Sequence, residues 1–321
     1  MAKAIGLISG GLDSILSVKL TQEQGIEVIG VFCSSPFFEK TFNVKKIADE
    51  LNIPLKIIEF GEEYIELIKN PKYGYGKNLN PCIDCHIYML KQAKKIMEEQ
   101  KADFVFTGEV LGERPMSQNR QSLKNIERES GLVGILLRPL SAQLFEPTIP
   151  EKIGIVDRTK LGSINGRSRK PQLELAKKFN ITNIPQPAGG CLLTDKNFCV
   201  RLKDAFSHNE DSLADLELLK IGRHFRVENT KIIVGRNEKE NTQLKKIKQS
   251  DDLILEPLDI AGPVVLIRHY NENEDEEILK LAAGICTRYC DKKTIAKIKY
   301  CDIIIESKPL DESLINRFRI I

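Results

Sequence analysis

Nowhere in the 321 residues is there an apolar run of 18, which excludes a membrane-spanning helix on the sequence alone. A large charge excess is missing too. Lys and Arg number 48 against 45 Asp and Glu, for a net charge of +3. No global field therefore draws nucleic acid to this chain, and any RNA site has to be a local basic patch. Histidine is scarce, at four residues, and none has a partner at a metal-site spacing. The first residues, Met-Ala-Lys-Ala-Ile, run straight into an apolar stretch and do not read as a signal peptide. Eight cysteines in such a chain are expected to serve metal or thiol chemistry where they cluster, not a disulfide framework. The expected location is the cytoplasm.

What is present starts at Ser9-Gly10-Gly11-Leu12-Asp13-Ser14. The loop follows an apolar run, Ala4–Ile8, that reads as a buried strand. It precedes a helical apolar pattern from Ile15 to Leu20. A strand, a glycine turn and a helix N-terminus make an anion site, because free backbone N–H groups and the positive helix end face the same point. Gly10 and Gly11 permit the turn, Ser9 and Ser14 add hydroxyl donors, and Asp13 can cap the helix or hold magnesium. The lysine of a Walker loop is absent, so this is a different phosphate loop.

Strands at Ala4–Ile8, Glu27–Phe32, Leu55–Phe60 and Phe104–Thr107 alternate with helices after Asp13, at Val44–Leu51 and at Tyr88–Gln100. That rhythm predicts a doubly wound parallel sheet, with ligands beyond the carboxyl ends of its strands. Prolines punctuate Ile135–Pro150. Residues 154–179 then carry seven basic side chains, Arg167, Arg169 and Lys170 among them, against two acids. Pro171 fits the first turn of a helix running to Phe179. From about Asp215 the chain turns strand-rich, at Lys231–Val234, Leu253–Leu255 and Val264–Ile267, with an acidic loop at Asn271–Glu277. The expected divisions are a nucleotide domain at 1–150, a basic segment at 151–210 and a smaller α+β domain at 211–321.

Cys82-Ile83-Asp84-Cys85-His86 is a CxxC at the start of a helix, and Cys191 follows a distant glycine pair. A CxxC alone fits a zinc knuckle or a redox pair, but a second CxxC is missing. His86 reads as surface helix. Three thiolates with an open fourth position suit a [4Fe-4S] cluster with one reactive iron. Cys33, Cys199 and Cys301 read as buried. Cys286 and Cys290, at i and i+4, read as packing in preference to a second thiol site.

These motifs together resemble the PP-loop ATP pyrophosphatases that thiolate tRNA, the 4-thiouridine synthases and 2-thiouridylases, from Ala4 to about Phe206. Asn80–Leu90 is similar to the 2-thiouridylase segment bearing one catalytic cysteine. Thr107-Gly108-Glu109 with Leu111–Arg114 and Ser117-Gln118 is similar to the 4-thiouridine synthase motif after the fourth strand. The resemblance implies ATP and magnesium at Ser9, Gly10, Gly11, Asp13, Ser14 and Gly108, and catalysis by Asp13, Cys82, Cys85 and Cys191. Cluster-free 2-thiouridylases use two cysteines. The CxxC here is similar instead to cluster-dependent enzymes, whose three cysteines hold [4Fe-4S], and implies that role for Cys82, Cys85 and Cys191.

Lys231–Asn237 and Asp259–Val265 resemble the RNA-binding domain of NFACT proteins. Arg223, Arg226, Lys231, Arg236, Lys245, Lys246, Lys248 and Arg268 form a candidate phosphate-tracking set. No amino-terminal RNA-capture domain like that of the larger 4-thiouridine synthases is expected before the loop. The RNA contacts are therefore expected at Arg167, Arg169, Lys170 and Arg236. The expectation is an ATP-dependent tRNA uridine sulfurtransferase with ATP, Mg2+ and a [4Fe-4S] cluster. Its partners are tRNA and a sulfur donor whose identity stays open. The alternatives are a cluster-free persulfide enzyme and a small-molecule sulfur transferase.

Overall fold

The computed structural model describes residues 1–38, 44–184, 191–269 and 276–321. Contacts divide the chain into Met1–Thr194 and Asp195–Ile321. The division at Thr194 falls inside the expected basic segment, so residues 151–194 lie in the first unit and 195–210 in the second.

In the first unit the order is β1 (Lys3–Leu7), α1 (Leu12–Gln22), β2 (Glu27–Ser34), α2 (Val44–Leu51), β3 (Leu55–Glu59), α3 (Glu62–Lys69), α4 (Cys82–Glu99), β4 (Phe104–Thr107), α5 (Arg120–Glu129), β5 (Leu136–Leu137), α6 (Ile149–Lys152) and α7 (Lys170–Lys178). The five strands run parallel in the order β3-β2-β1-β4-β5. The order reverses at β1, the central strand from which the first loop springs, and that reversal opens a crevice at the strand ends. The β1 and β4 strands are near-continuous apolar runs because they are covered on both faces. Ala4, Ile5, Phe104, Val105 and Phe106 are all fully buried. Helix α1 packs against α2 and α7, while α4 packs against α3 and α5.

The second unit contains α8 (Lys196–Ser207), α9 (Leu213–Leu218), β6 (Arg223–Val227), β7 (Thr230–Val234), α10 (Glu238–Ile247), β8 (Leu253–Pro257), β9 (Val265–Arg268), α11 (Glu276–Arg288), β10 (Ala296–Tyr300), β11 (Ile303–Ser307) and α12 (Glu312–Phe318). Its antiparallel sheet has the order β11-β10-β8-β9-β7-β6. Side chains of α11, including Ile278, Ala282 and Ile285, share a core with Phe225, Ile232 and Val265 of the sheet. Of the expected acidic loop, residues 271–275 lie outside the described residues, and Glu276 and Glu277 open α11. No helix among the described residues is long and apolar enough to cross a membrane.

Candidate active site

The loop from Ser9 to Ser14 leaves β1 and enters α1 beyond the carboxyl end of the sheet. Gly10 has φ +82°, a left-handed conformation open to glycine. Gly11 caps α1 without a side chain, which leaves the first-turn N–H groups available. The Ser14 hydroxyl donates to Gly11 O at 2.8 Å, and Gly11 N–H donates to Ser9 Oγ at 3.3 Å. The serines therefore brace the loop as it stands.

Three further segments close around it. The chain leaving β4 passes so close that a Cβ on Gly108 would stand 2.7 Å from Asp13 C and Ser14 N. Only glycine permits that approach. Burial raises the Asp13 pKa, against a hydrogen bond from Gln172 and the charges of Arg169 and Arg114. Burial, with Asp13 beside it, also raises Glu113. Two carboxylates are thus gathered with two guanidinium groups at the start of α1. One or two carboxylates together with substrate phosphates are how magnesium is commonly held, so the residues present fit that ion. Sequence reasoning missed Glu113 and Gln172, because their partners lie a hundred or more residues away. Arg169, expected to contact RNA, faces Asp13. Arg167 and Lys170 are exposed.

The cysteine site is assembled from two distant segments. Cys82 opens α4 and Cys85 lies one turn further along it. The strand of chain after Cys191 is stitched to the approach to α4: Leu79 N–H donates to Leu193 O at 3.2 Å, and Asn78 Nδ2 to Thr194 O at 2.8 Å. Leu192 N–H reaches Phe37 O at 2.9 Å, just past β2. The glycine pair before Cys191 lies outside the described residues. Burial pushes the Cys85 thiol well up, and Cys191, Cys82 and Cys33 add to the shift. The Tyr64 hydroxyl sits 3.0 Å from Cys85 Sγ. Cys82 is only half-buried and its thiol lies 3.1 Å from Asn80 Oδ1. Burial raises Cys82 too, with Arg114 acting against it.

Among the described residues no three His, Cys, Asp or Glu side chains stand close enough to grip one metal ion. That geometry does not suit zinc. A four-iron cluster is wider than a single ion, and three thiols converging from two segments fit its demand for soft ligands. Coordination deprotonates a thiol outright, which removes the barrier that burial sets at Cys85.

His86 is not a surface residue in the expected sense. Its Nδ1 lies 2.7 Å from Glu109 Oε1, on the first residue past Gly108. Burial would raise Glu109, but Arg138 and His86 overcome it and hold the carboxyl at about 2. Arg138 Nε donates to Glu109 Oε2 at 3.1 Å and its Nη1 to Glu127 Oε2 at 3.1 Å. This buried network ties α4 to the end of β4. Arg114 bears on both Asp13 and Cys82. His86, beside Cys85, and Glu109, beside Gly108, thus bring the start of α4 up to the phosphate loop.

The remaining cysteines divide. Cys33 is buried and its thiol is pushed up to about 12. Cys199, Cys286 and Cys290 are buried as expected. Cys301 is exposed, in a left-handed conformation at the β10–β11 turn, contrary to expectation. In the candidate phosphate-tracking set, Arg226, Lys231 and Arg268 are consumed in ion pairs. Lys231 and Arg226 both meet Glu210 at 2.5 Å, and Arg268 meets Asp252 and Asp215 at 2.7 Å. Lys231 and Arg268 are buried, so they are not available to RNA.

Residues 2–130 match the family described as tRNA methyl transferase HUP domain, and residues 222–318 match NFACT protein RNA binding domain. Both matches agree with the resemblance to PP-loop tRNA thiolation enzymes and to NFACT proteins that the motifs carry. Curated proteins to which this chain is similar include the tRNA-specific 2-thiouridylase MnmA of Listeria monocytogenes serotype 4a, 24% identical over 233 residues, covering 68% of this chain and 59% of the relative. The enzyme of the same name from Proteus mirabilis is 24% identical over 239 residues, covering 69% and 62%. The chain thus spans about three fifths of the length of these relatives. A solved 4-thiouridine synthetase in complex with RNA and ATP is 20% identical, covers 56% of this chain and 52% of that one, and has a TM-score of 0.37.

Proposed function

We propose that this protein is an ATP-dependent tRNA sulfurtransferase that replaces a uridine carbonyl oxygen with sulfur, and that it works in the cytoplasm. What supports the reading is that the phosphate loop and the cysteine group adjoin: His86, beside Cys85, bonds Glu109, beside the Gly108 that packs on Asp13 and Ser14. A nucleotide loop supplies activation and a thiol group supplies sulfur only if both reach the same substrate atom. The names of the 2-thiouridylase relatives point the same way.

ATP lies over Ser9–Ser14, its phosphates facing the open N–H groups of α1. Asp13 and Glu113 would hold magnesium, whose charge supplies stabilisation at the phosphates. Arg114 and Arg169 orient the phosphates and meet the charge that develops on pyrophosphate. The uridine carbonyl oxygen attacks the α-phosphorus. The bond to the β-phosphate oxygen breaks and pyrophosphate leaves. Carbon now carries AMP in place of a poor leaving oxygen. A sulfur nucleophile adds to that carbon, the C–O bond breaks, and AMP departs with the electron pair. A base has to leave its stack to reach such a crevice, so a looped or flipped uridine is required.

Cys82, Cys85 and Cys191 would hold a [4Fe-4S] cluster, and its fourth iron would supply a site for deprotonated hydrosulfide. A second reading, a cluster-free site using a persulfide on one cysteine, is favoured by the 2-thiouridylase relatives. Anaerobic reconstitution with iron and sulfide separates the two. About four irons per chain, lost in Cys82→Ala, supports the cluster. Thiolation by iron-free protein, sustained by a persulfide donor, supports the second reading. Failure of either form to thiolate tRNA from a strain lacking the protein contradicts the proposed function.

A further inference from the structure

In the second unit a cavity of about 180 Å3 is lined by Arg201, Arg223, Arg236 and Arg319, together with Asn197 and His224. The four arginines come from α8, β6, the turn after β7 and the residue after α12. Only Arg236 has a carboxylate partner among the described residues, Glu240, at 2.6 Å. Arg201 Nε donates to Leu219 O at 2.9 Å. Arg223 lies over the Tyr289 ring at 4.6 Å, and Arg319 lies over Phe225 at 5.8 Å while donating to the Tyr289 hydroxyl. The rings fix the two guanidinium planes without neutralising them.

This differs from the other cations of the domain. Arg226, Lys231 and Arg268 are each matched by carboxylates. Around the cavity Arg201, Arg223 and Arg319 form no ion pair among the described residues, and burial lowers the pKa of Arg201, with Asp195 and Glu240 acting against it and Arg236 adding to it. Like charges held together at a concave surface call for an anion.

His224 adds a second requirement. It is 2% exposed, and its Nε2 lies 2.7 Å from Ile221 O. Nε2 must therefore carry the proton, which leaves Nδ1 as an acceptor. That Nδ1 is buried and has no partner. A phosphodiester group, which has no hydrogen to donate, cannot satisfy it by itself. A ligand bearing both a phosphate and a hydroxyl donor can. The cavity is smaller than the roughly 300 Å3 at which pockets for whole drug-sized ligands begin, so a backbone unit fits better than a complete nucleotide.

We propose that this cavity binds the ribose–phosphate backbone of single-stranded RNA, with Arg201, Arg223 and Arg319 on the phosphate and a ribose 2′-hydroxyl donating to His224 Nδ1. The proposal rests on the RNA reading of this protein and assigns that reading a place and a chemistry. Of these residues, sequence reasoning had raised only Arg223 and Arg236 as phosphate contacts.

The test is fluorescence anisotropy of the full chain with octauridylate and with the deoxy oligomer of the same length, over a range of salt. The expected result is tighter binding of RNA than of DNA by the unaltered protein. The Arg223→Gln/Arg319→Gln double variant should bind RNA at least tenfold more weakly, with a salt slope smaller by about 1.4. His224→Phe removes the acceptor and keeps an aromatic ring of similar size, so its RNA affinity should fall to that for DNA. Thermal melting and ATP binding of each variant report whether it is folded. A double variant that is folded and binds RNA as the unaltered protein does overturns the site while leaving the RNA reading intact. Equal affinity of the unaltered protein for RNA and DNA overturns the hydroxyl contact. No oligonucleotide binding by the unaltered protein overturns the RNA reading itself.

Discussion

Two pairs of cysteines in this molecule are each close along the chain and differ in their surroundings. Cys82 and Cys85 stand three apart on α4, Cys286 and Cys290 four apart at the end of α11 and just past it. The first pair lies beyond a parallel sheet, meets a third cysteine from a distant segment, and leaves Cys82 half-exposed beside Arg114. The second pair is buried among Ile285, Ala282 and the strands of an antiparallel sheet, and the neighbouring thiol and burial both push Cys286 up. Proximity of thiols is shared by both. What separates a site from a core is access, a cation in reach and a nucleotide loop alongside.

That contrast breaks most sharply under substitution. Cys82→Ala, Cys85→Ala and Cys191→Ala should each lower thionucleoside formation by at least about 100-fold, since each removes a sulfur ligand or nucleophile. Cys286→Ala should leave the rate unchanged and lower stability by about 1 kcal/mol, for the small cavity it opens. Mass spectrometry of digested tRNA and thermal melting read the two outcomes. A Cys286→Ala enzyme with lost activity and native stability would erase the distinction.

The buried Glu109–Arg138 pair tests how the site is framed. Arg138→Leu leaves Glu109 charged and buried, and should cost about 3–5 kcal/mol, measured by urea unfolding. Glu109 has its folded pKa lowered from 4.5 to about 2. Its contribution is therefore complete above pH 4.5 and is lost as pH falls from there towards 2. Glu109→Gln should flatten the stability profile in that acid window and not above it. An unchanged acid limb would show that the pair does not hold the carboxyl ionised.

Gly108→Ala places a methyl 2.7 Å from the backbone of Asp13 and Ser14, whereas Gly61→Ala meets nothing within 4 Å. The first change should abolish pyrophosphate release with the cysteine group intact. The second should leave it within twofold. Asp13→Ala should match Gly108→Ala in that assay. The smallest effect belongs to Cys301→Ser, which should alter stability by less than about 0.5 kcal/mol, as an exposed turn residue. Cys301 should also be the first thiol alkylated by iodoacetamide, ahead of Cys286.

Much of the first unit was legible because its signals are local. A buried strand, a glycine turn and a capped helix lie within twenty residues, and the alternation of strand and helix predicts the parallel sheet. The CxxC could be read the same way. Its neighbours could not. Gln172 meets Asp13, and Glu109 meets His86, only through folding, and no spacing along the chain announces either pair. Charge misled most in the second unit. A basic residue in sequence looks the same whether it faces solvent or a buried carboxylate, so Lys231 and Arg268 were grouped with Arg236. Arg201 and Arg319 are 118 positions apart, and no spacing along the chain announces that they line one cavity.

The most direct test of a shared nucleotide and sulfur site is a single anaerobic reaction. The intact chain, reconstituted with iron and sulfide, is given ATP, sulfide and tRNA from a strain that lacks it, and the digested nucleosides are analysed by mass spectrometry. The expected result is one thiouridine formed per pyrophosphate released, with no product when ATP is withheld. Pyrophosphate released from ATP with no sulfur appearing in the tRNA would contradict the account.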